Sequence, residues 1–396
     1  MAAGALIGWQ FPWSAGYAAP IANSFLRLVQ SVIAPVLFTT LVASFARGGR
    51  PSELGRIGLK SIVWFEASTT LAMLIGWIVA TALEPGAGVG LKGAAQGAAP
   101  PDFAAVVENM FPSSIVAAMA RGDVLQIVLY AVALGLACAA IGDRAEVFVR
   151  FCESASQVAF AYTRLVMRVA VIGIAAAMAA AVGANGAGIL VGLGKFVAAA
   201  WIAQLLFTIL GVVTPLILLR IPLCRFWRFM REPFLIAFGT TSSAAAIPSA
   251  LTQLERYGVP PALAGLTMPL GISFNLCGSA FHLVMASIFV AQAAGVALTM
   301  PQQLMILLTL KLTSKGVAGI PRANFVILSS LLPAYGLPLE GLAMLLGIDA
   351  FIDTIRTGNN ILANCVAPTA IARWEGWRHT VGPESAACAA PGVPRA

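Results

Sequence analysis

Charge is what this sequence has least of. Asp, Glu, Lys and Arg make up 10% of its 396 residues, against about 25% in an ordinary soluble domain. Hydrophobic residues make up 59%. No soluble core could hide so much apolar surface, so a soluble globular class is excluded and lipid is the solvent that fits. Histidine is nearly missing, with only His282 and His379. No Ser/His pairing or metal-ligand spacing can be assembled from them. The six cysteines show no pairing or metal spacing either, and most sit in apolar runs, where a thiol behaves as a small hydrophobe. A basic start leading to a cleavable signal peptide is absent. The basic residues fall in connections between apolar runs, the positive-inside pattern, so a nucleic-acid reading of the basic balance is poor.

What charge there is falls in groups. Arg47, Arg50, Arg56 and Lys60 flank one connection, and Arg144 and Arg150 another. Arg220, Arg225, Arg228 and Arg231 mark a third, while Arg373 and Arg378 follow the last apolar run. The stretches 183–190 and 293–301 carry no charge. This alternation predicts that the basic connections face the cytoplasm.

Apolar runs long enough to span a bilayer lie near 22–46, 57–83, 123–142, 155–182 and 188–219. An earlier run from Gly4 to Trp13 is too short to cross about 30 Å of hydrocarbon, which leaves either a shortened first helix or a truncated start. Beyond Arg220 the pattern changes. Residues 225–256 are apolar but interrupted by Gly239-Thr240-Thr241-Ser242-Ser243 and Ile247-Pro248. Residues 302–335 are interrupted by Thr313-Ser314-Lys315-Gly316 and Gly319-Ile320-Pro321. Between them, 262–294 breaks at Asn275-Leu276-Cys277-Gly278-Ser279. Unwound backbone persists at membrane depth only where protein or a water-filled cavity satisfies it. Paired interrupted segments are the best pointer to a transporter's binding site. The pattern predicts two re-entrant helical hairpins, 225–256 and 302–335, whose tips meet near the midplane beside a broken helix.

The last helix, 339–373, carries Asp349, Asp353, Arg356, Asn360 and Asn364, spaced by four, three, four and four. That spacing puts all five on one face, with Thr357 beside them. Facing lipid, each central charge would cost at least about 2.5–3.5 kcal/mol, so the stripe must face protein or solute. A guanidinium presents a planar fork to a carboxylate, and a carboxylate one turn away can hold an ammonium. Arg356 and Asp353 therefore suit a zwitterion carrying an extra acid group. A purely structural Asp–Arg staple is the alternative.

These ordered motifs resemble the dicarboxylate/amino acid:cation symporter family, the glutamate transporter homologues, nearest its proton-coupled branch. The likeness covers nearly the whole chain. It is strongest from Phe238 to Gly376, through the serine-rich tip, the Asn275–Ser279 break, the Thr-Ser-Lys-Gly hairpin, Gly347-Ile348-Asp349, and Arg373-Trp374-Glu375-Gly376. Asn109-Met110-Phe111-Pro112-Ser113 also looks like the family. The resemblance implies an all-α polytopic membrane protein of about eight transmembrane helices plus the two hairpins, working as an elevator-type homotrimer. A scaffold (1–50, 105–187) would hold the trimer, and a transport domain (51–90, 188–376) would slide across the membrane. Ser242 and Ser243 would contact a substrate carboxylate, and Ser279 would replace the family's threonine. Asp353 would bind the amino group, with Thr357 and Asn360 assisting. Arg356 would bind the side-chain carboxylate and Asp349 would orient it. Gly319 would sit at the moving tip of the second hairpin. The function implied is secondary active symport of glutamate or aspartate, without a cofactor, across a bacterial inner membrane. C4-dicarboxylates are the close competitor, although a dicarboxylate-only carrier has no need of Asp353.

Two positions depart from sodium-coupled members, which carry aspartates where this chain has Cys277 and Asn364. Sodium, a hard cation, gains little from a thiol, so two sodium sites are weakened and H+ becomes the expected coupling ion, with Na+ the alternative. Something must then titrate. Glu66 lies within an apolar run and His282 within the broken helix. Burial raises a carboxylate's pKa, and a histidine starts near 6.5. The structural alternatives are a Glu66 paired with a basic residue and a His282 that staples helices. Other classes fare worse. Asp349 and Asp353 lie four apart on one helix beside Arg356, which would keep both ionised, whereas an aspartyl dyad needs one raised pKa. A channel suits the hairpin gates and paired charges less well than a carrier, and an uncoupled or exchange-only carrier is the remaining variant. The tail, 377–396, has the composition of a disordered segment.

Overall fold

The computed structural model describes residues 2–47, 51–91, 111–186, 188–314 and 323–376. The tail, the Gly319 tip and the Asn109-Met110 part of the family-like motif lie outside the described residues. Within them the chain is helical, with no strand.

The chain opens with α1 (Ala2–Gln10), α2 (Ala15–Ser31), α3 (Ile33–Arg47) and α4 (Pro51–Leu83). The expected 22–46 run is thus split at Val32. Pro35 explains the split, because its ring excludes the carbonyl four residues back, that of Ser31, from the helical ladder. After α5 (Ile115–Arg121) and α6 (Val124–Ile141), the expected 155–182 run is also divided, into α7 (Glu146–Arg168) and α8 (Ala170–Asn185). The interruption falls at Val169, beside Val171 and Ile172, where β-branched side chains weaken helix formation. Helix α9 (Ile189–Phe207) continues through a π turn at Thr208–Val213 into α10 (Thr214–Leu218).

The interrupted segments follow. Helix α11 (Leu223–Thr240) reverses into α12 (Ser243–Tyr257). Thr241 makes the turn in the left-handed region, at φ +51°, and Ser242 caps α12 by accepting the amide of Ala245 at 3.3 Å. Glu232 ties the arms together, accepting from Ser249 at 2.8 Å and Gln253 at 2.6 Å. Helix α13 (Pro261–Phe274) stops at Asn275-Leu276, and α14 (Cys277–Ala293) resumes. Helices α15 (Met300–Thr313) and α16 (Ala323–Ala334) are the arms of the second segment, and α17 (Glu340–Trp374) is the last helix.

Helix α14 is buried all round, with only Ser279 and Gln292 excepted. The last helix is buried without interruption from Ile355 to Ala372. A helix enclosed on every side is the centre of its bundle; these two pack on each other and on α4, and the last helix packs on the α11–α12 hairpin as well. The outer helices turn apolar side chains outward. On α4, Leu59, Ile62, Val63 and Ile78 are exposed while Phe65, Thr69 and Ala72 point inward. Among the described residues, four stretches are long and apolar enough to cross a bilayer (Arg56–Leu83, Gln126–Val166, Ile189–Leu218 and Pro261–Ala293), and Ala34–Ala43 and Ala170–Ala184 are shorter apolar helices. The protein is a multi-pass helical membrane protein.

Candidate functional site

The stripe on α17 faces inward. Arg356 is buried and donates to Asp349 at 3.0 Å and, at short range, to Asp353. Thr357 adds a 3.4 Å hydrogen bond to the same Asp353 oxygen. The two carboxylates are not equivalent, because the Asp349 side chain is 1% exposed and that of Asp353 19%. Asp349 is a sealed brace, whereas Asp353 is open on one side. Removing one member of a buried ion pair leaves the other charge uncompensated, at about 3–5 kcal/mol.

One turn on, Asn360 accepts the backbone amide of Gly278 at 2.7 Å, satisfying a first-turn amide of α14 that has no partner in its own helix. Glycine is required at 278, since a Cβ there would lie 2.4 Å from the carbonyl oxygen of Arg356. One turn further, Asn364 accepts from Asn275 at 3.1 Å. The oxygen of Asn275 accepts from the Cys277 thiol at 3.0 Å, and the thiol lies 3.2 Å from the Ser68 hydroxyl of α4. Cys277 and Asn364 are therefore wired together through neutral groups. Among the described residues, no set of three or more His, Cys, Asp or Glu converges as metal ligands.

Ser242 and Ser243 lie half-buried at the hairpin turn, at the start of the fifteen-residue α12. Unpaired amides at such a start suit an anion. Both hairpin arms pack on α17, and Phe234 of α11 covers Gly358, where a Cβ would come within 2.5 Å of its ring. Ser279 is half-buried in the first turn of α14.

The two titratable candidates differ. His282 is enclosed by Phe196 and Phe325, at ring distances of 5.9 and 6.4 Å, and neither ring nitrogen has a hydrogen-bond partner among the described residues. It staples nothing there. Glu66 has a basic partner, Lys311 of α15, at 3.2 Å.

Lys311 was legible and passed over. It is a lone charge in the apolar run 304–312, the same signal that singles out Glu66. A second group missed is Asn359, whose amide donates to the Gln204 side chain at 2.5 Å and whose oxygen accepts from Thr208 at 3.1 Å. It points to α9, away from the stripe, and ties the last helix to the start of the π turn.

A buried charge stripe flanked by a reversed helix and a broken helix inside lipid defines a solute carrier. The chain belongs to the sodium:dicarboxylate symporter family, whose model matches residues 1–374, and is thus a symporter. It is 38% identical over 387 residues to a C4-dicarboxylate transport protein of Anaeromyxobacter sp. (strain K), covering 94% of this chain and 87% of that protein. It is 36% identical over 386 residues to the proton/glutamate-aspartate symporter of Bacillus subtilis (strain 168), covering 95% and 93%. Family and relatives alike describe a transporter rather than an enzyme.

Proposed function

We propose that the protein imports acidic amino acids, glutamate or aspartate, across a bacterial inner membrane with protons as the coupling ion. The observation that carries the substrate is the asymmetry of the two acids on Arg356. Asp349 is sealed and braces the guanidinium, while Asp353 is open enough to meet an ammonium. A substrate amino group takes Asp353 with help from Thr357. Its side-chain carboxylate takes the guanidinium face that Asp353 vacates, and its main carboxylate takes the Ser242–Ser243 turn, with Ser279 and Gly319 closing the site.

The neutral network Ser68–Cys277–Asn275–Asn364 favours protons over sodium, because it offers a hard cation no anionic oxygen. Between the two titratable candidates the reading favours Glu66, which solvent can reach, over His282 in its aromatic enclosure. The helices of 2–47 and 115–185 form the scaffold of a homotrimer, and those of 51–91 and 188–376 form the body that moves as an elevator. No cofactor takes part.

A second reading, C4-dicarboxylate transport, has its own support in the Arg356–Asp353 contact, which leaves Asp353 internally satisfied and needing no ammonium. Uptake of labelled aspartate, glutamate and succinate into proteoliposomes, with sodium and proton gradients imposed separately, decides between them. Proton-driven aspartate or glutamate uptake is expected. Succinate uptake at similar or higher kcat/KM would favour the dicarboxylate reading, and a strict sodium requirement would remove the proton assignment.

A further inference from the structure

The rod formed by α9, the π turn and α10 ends in a cluster of arginines. Its apolar stretch, Ile189–Leu218, has 30 residues, about 45 Å at 1.5 Å per residue. A bilayer with its headgroups is about 40–45 Å thick, so the end of the rod reaches headgroup depth. Arg220 turns the chain there in the left-handed region, at φ +55°, while the amide of Ile221 closes on the Leu216 carbonyl at 2.8 Å. Glycine is the usual residue at such a helix end. Arg225, Arg228 and Arg231 follow on α11 at intervals of three, an arc of about 120° at 100° per residue. Phe226, Met230, Pro233 and Ala237 are buried on the opposite side of that helix. Arg56 and Lys60 pair with Glu375, and Arg150 pairs with Glu146, whereas none of these four arginines pairs with an acid among the described residues. Glu232, the one acid of α11, is turned to Ser249 and Gln253, and Glu255 of α12 is exposed beside Arg256. Arg225 lies over the Tyr257 ring at 5.2 Å. Arg220, Arg228 and Arg231 are exposed, among the exposed apolar side chains of Ile217, Leu218, Trp227 and Leu235.

We propose that this patch binds an anionic phospholipid of the cytoplasmic leaflet, with its phosphate on Arg220, Arg228 and Arg231 and its chains over Ile217, Leu218 and Leu235. Charge and apolarity together select this occupant. A guanidinium fork matches the oxygens of a phosphate diester. Several basic residues just cytoplasmic of a membrane helix, on a helix with one apolar and one basic side, form a pattern that collects acidic headgroups. Trp227, packed against Phe234 at a ring distance of 5.4 Å, stands where an amphipathic ring meets the headgroup boundary. A soluble acidic protein would leave the exposed aliphatic side chains uncovered. The chain's own tail is not complementary, since 377–396 has Glu384 as its one acid against Arg378 and Arg395. Helix α11 runs from this patch to the Ser242 turn, so a bound headgroup would fix the depth of that turn in the membrane. The inference needs the membrane placement of the chain but neither the substrate nor the coupling ion proposed above.

Brominated lipids test it on the full-length protein in phosphatidylcholine bilayers, because bromine on an acyl chain quenches a tryptophan only at close range. The Trp227 signal is the difference between each protein and its Trp227→Phe counterpart. Brominated phosphatidylglycerol and brominated phosphatidylcholine are compared at the same low mole fraction. Phosphatidylglycerol should be preferred at Trp227 by at least about fivefold, the scale of one arginine at an acidic surface. Replacing both Arg228→Gln and Arg231→Gln should remove most of that preference, whereas Arg228→Lys with Arg231→Lys should keep most of it and serves as the folding control. Arg150→Gln, which removes a cytoplasmic charge elsewhere, should leave it unchanged. Arg220→Gly should weaken the preference without lowering Tm, since glycine relaxes the left-handed turn. Equal quenching by the two lipids in wild type, or an undiminished preference in the double glutamine variant, would overturn the proposal. Loss of the preference in sodium phosphate, with sodium chloride of equal ionic strength harmless, would assign the patch to free phosphate and overturn it as well.

Discussion

Two sets of helices in this protein meet the same demand, a well-packed interior in hydrocarbon, with different materials. In 2–47 and 115–185 the described buried polar side chains are Thr39, Gln126 and Thr163, and they are satisfied locally. Thr39 donates to Pro35 at 2.7 Å and Thr163 to Ala159 at 2.8 Å, each within its own helix. Contact between helices there relies on small residues. A Cβ on Gly4 would come within 2.2 Å of the Ala175 carbonyl oxygen, and one on Gly8 within 2.5 Å of that of Ala179, so α1 and α8 touch backbone to backbone. In 51–91 and 188–376 Ser61, Ser287, Thr313 and Thr369 also bond within their own helices, but other buried polar groups bond across helices: Asn275 to Asn364, Gly278 to Asn360, Asn359 to Gln204. Close packing dominates the first set, where the Ser31 and Tyr162 hydroxyls meet at 3.0 Å at its exposed edge, and it favours one arrangement. Directional bonds that can be exchanged for a solute's hold the second, which is what a binding body needs.

The comparison can be broken most severely at Arg356. Arg356→Ala should abolish uptake and lower stability by about 3–5 kcal/mol, because it strands Asp349 in the interior. Arg356→Lys, which keeps the charge but not the fork, should restore most of the stability and little of the uptake. Full uptake in the lysine variant would show that charge alone suffices. Glycine substitutions sharpen the contrast. Gly8→Val and Gly278→Ala each overfill a tight contact and should cost about 1–3 kcal/mol. Thermal melts should register both, but only Gly278→Ala should raise KM for substrate, since only it displaces Arg356. Equal KM effects would mean that the two sets of helices are not functionally distinct.

The smallest effect concerns the clasp between α4 and the end of α17, where Glu375 accepts from Lys60 at 2.6 Å and pairs with Arg56. The Lys60 hydrogen bond foremost, with the Arg56 and Lys60 charges, holds the Glu375 carboxyl below its ordinary range against the opposing effect of burial. A depressed carboxyl pKa contributes stability that is present above its ordinary value and lost as pH falls through the depressed one. Glu375→Gln should therefore lower Tm slightly near neutrality, and the difference should vanish in acid. A difference unchanged in acid would assign the clasp to packing against Trp374, over whose ring Lys60 sits at 5.8 Å.

Much of this was readable along the chain. The reversal at Thr241-Ser242 and the break at Asn275 are announced by runs of small polar residues within apolar segments, and the α17 stripe by its helical spacing. The divisions at Val32 and Val169 are quieter. The first depends on a proline acting four residues upstream, and the second on modest β-branched preferences that tertiary packing can override. Partnerships across the chain are not local at all. Lys311 and Thr70 are 241 positions apart, and nothing in either neighbourhood names the other. Sequence shows that a charge at membrane depth needs a partner, and only the fold shows which partner it has.

The π turn at Thr208–Val213 carries a consequence of its own. An ordinary helix advances about 100° per residue, and a π turn absorbs one extra residue without breaking the rod. Up to Phe207 the buried positions repeat every three or four residues. Beyond it they fall at Gly211, Val212 and Leu216, so Gln204, Val212 and Leu216 lie on a spacing that is a multiple of four. The turn takes up that residue inside the apolar stretch Ile189–Leu218, so the face that meets the last helix at Asn359 carries on beyond it. Deleting one residue there would let the π turn revert to an ordinary turn and leave every downstream side chain near its present orientation, whereas a deletion in the regular helix before it would turn them all by about 100°. The turn thus holds a reserve of one residue in an otherwise fixed rotational register.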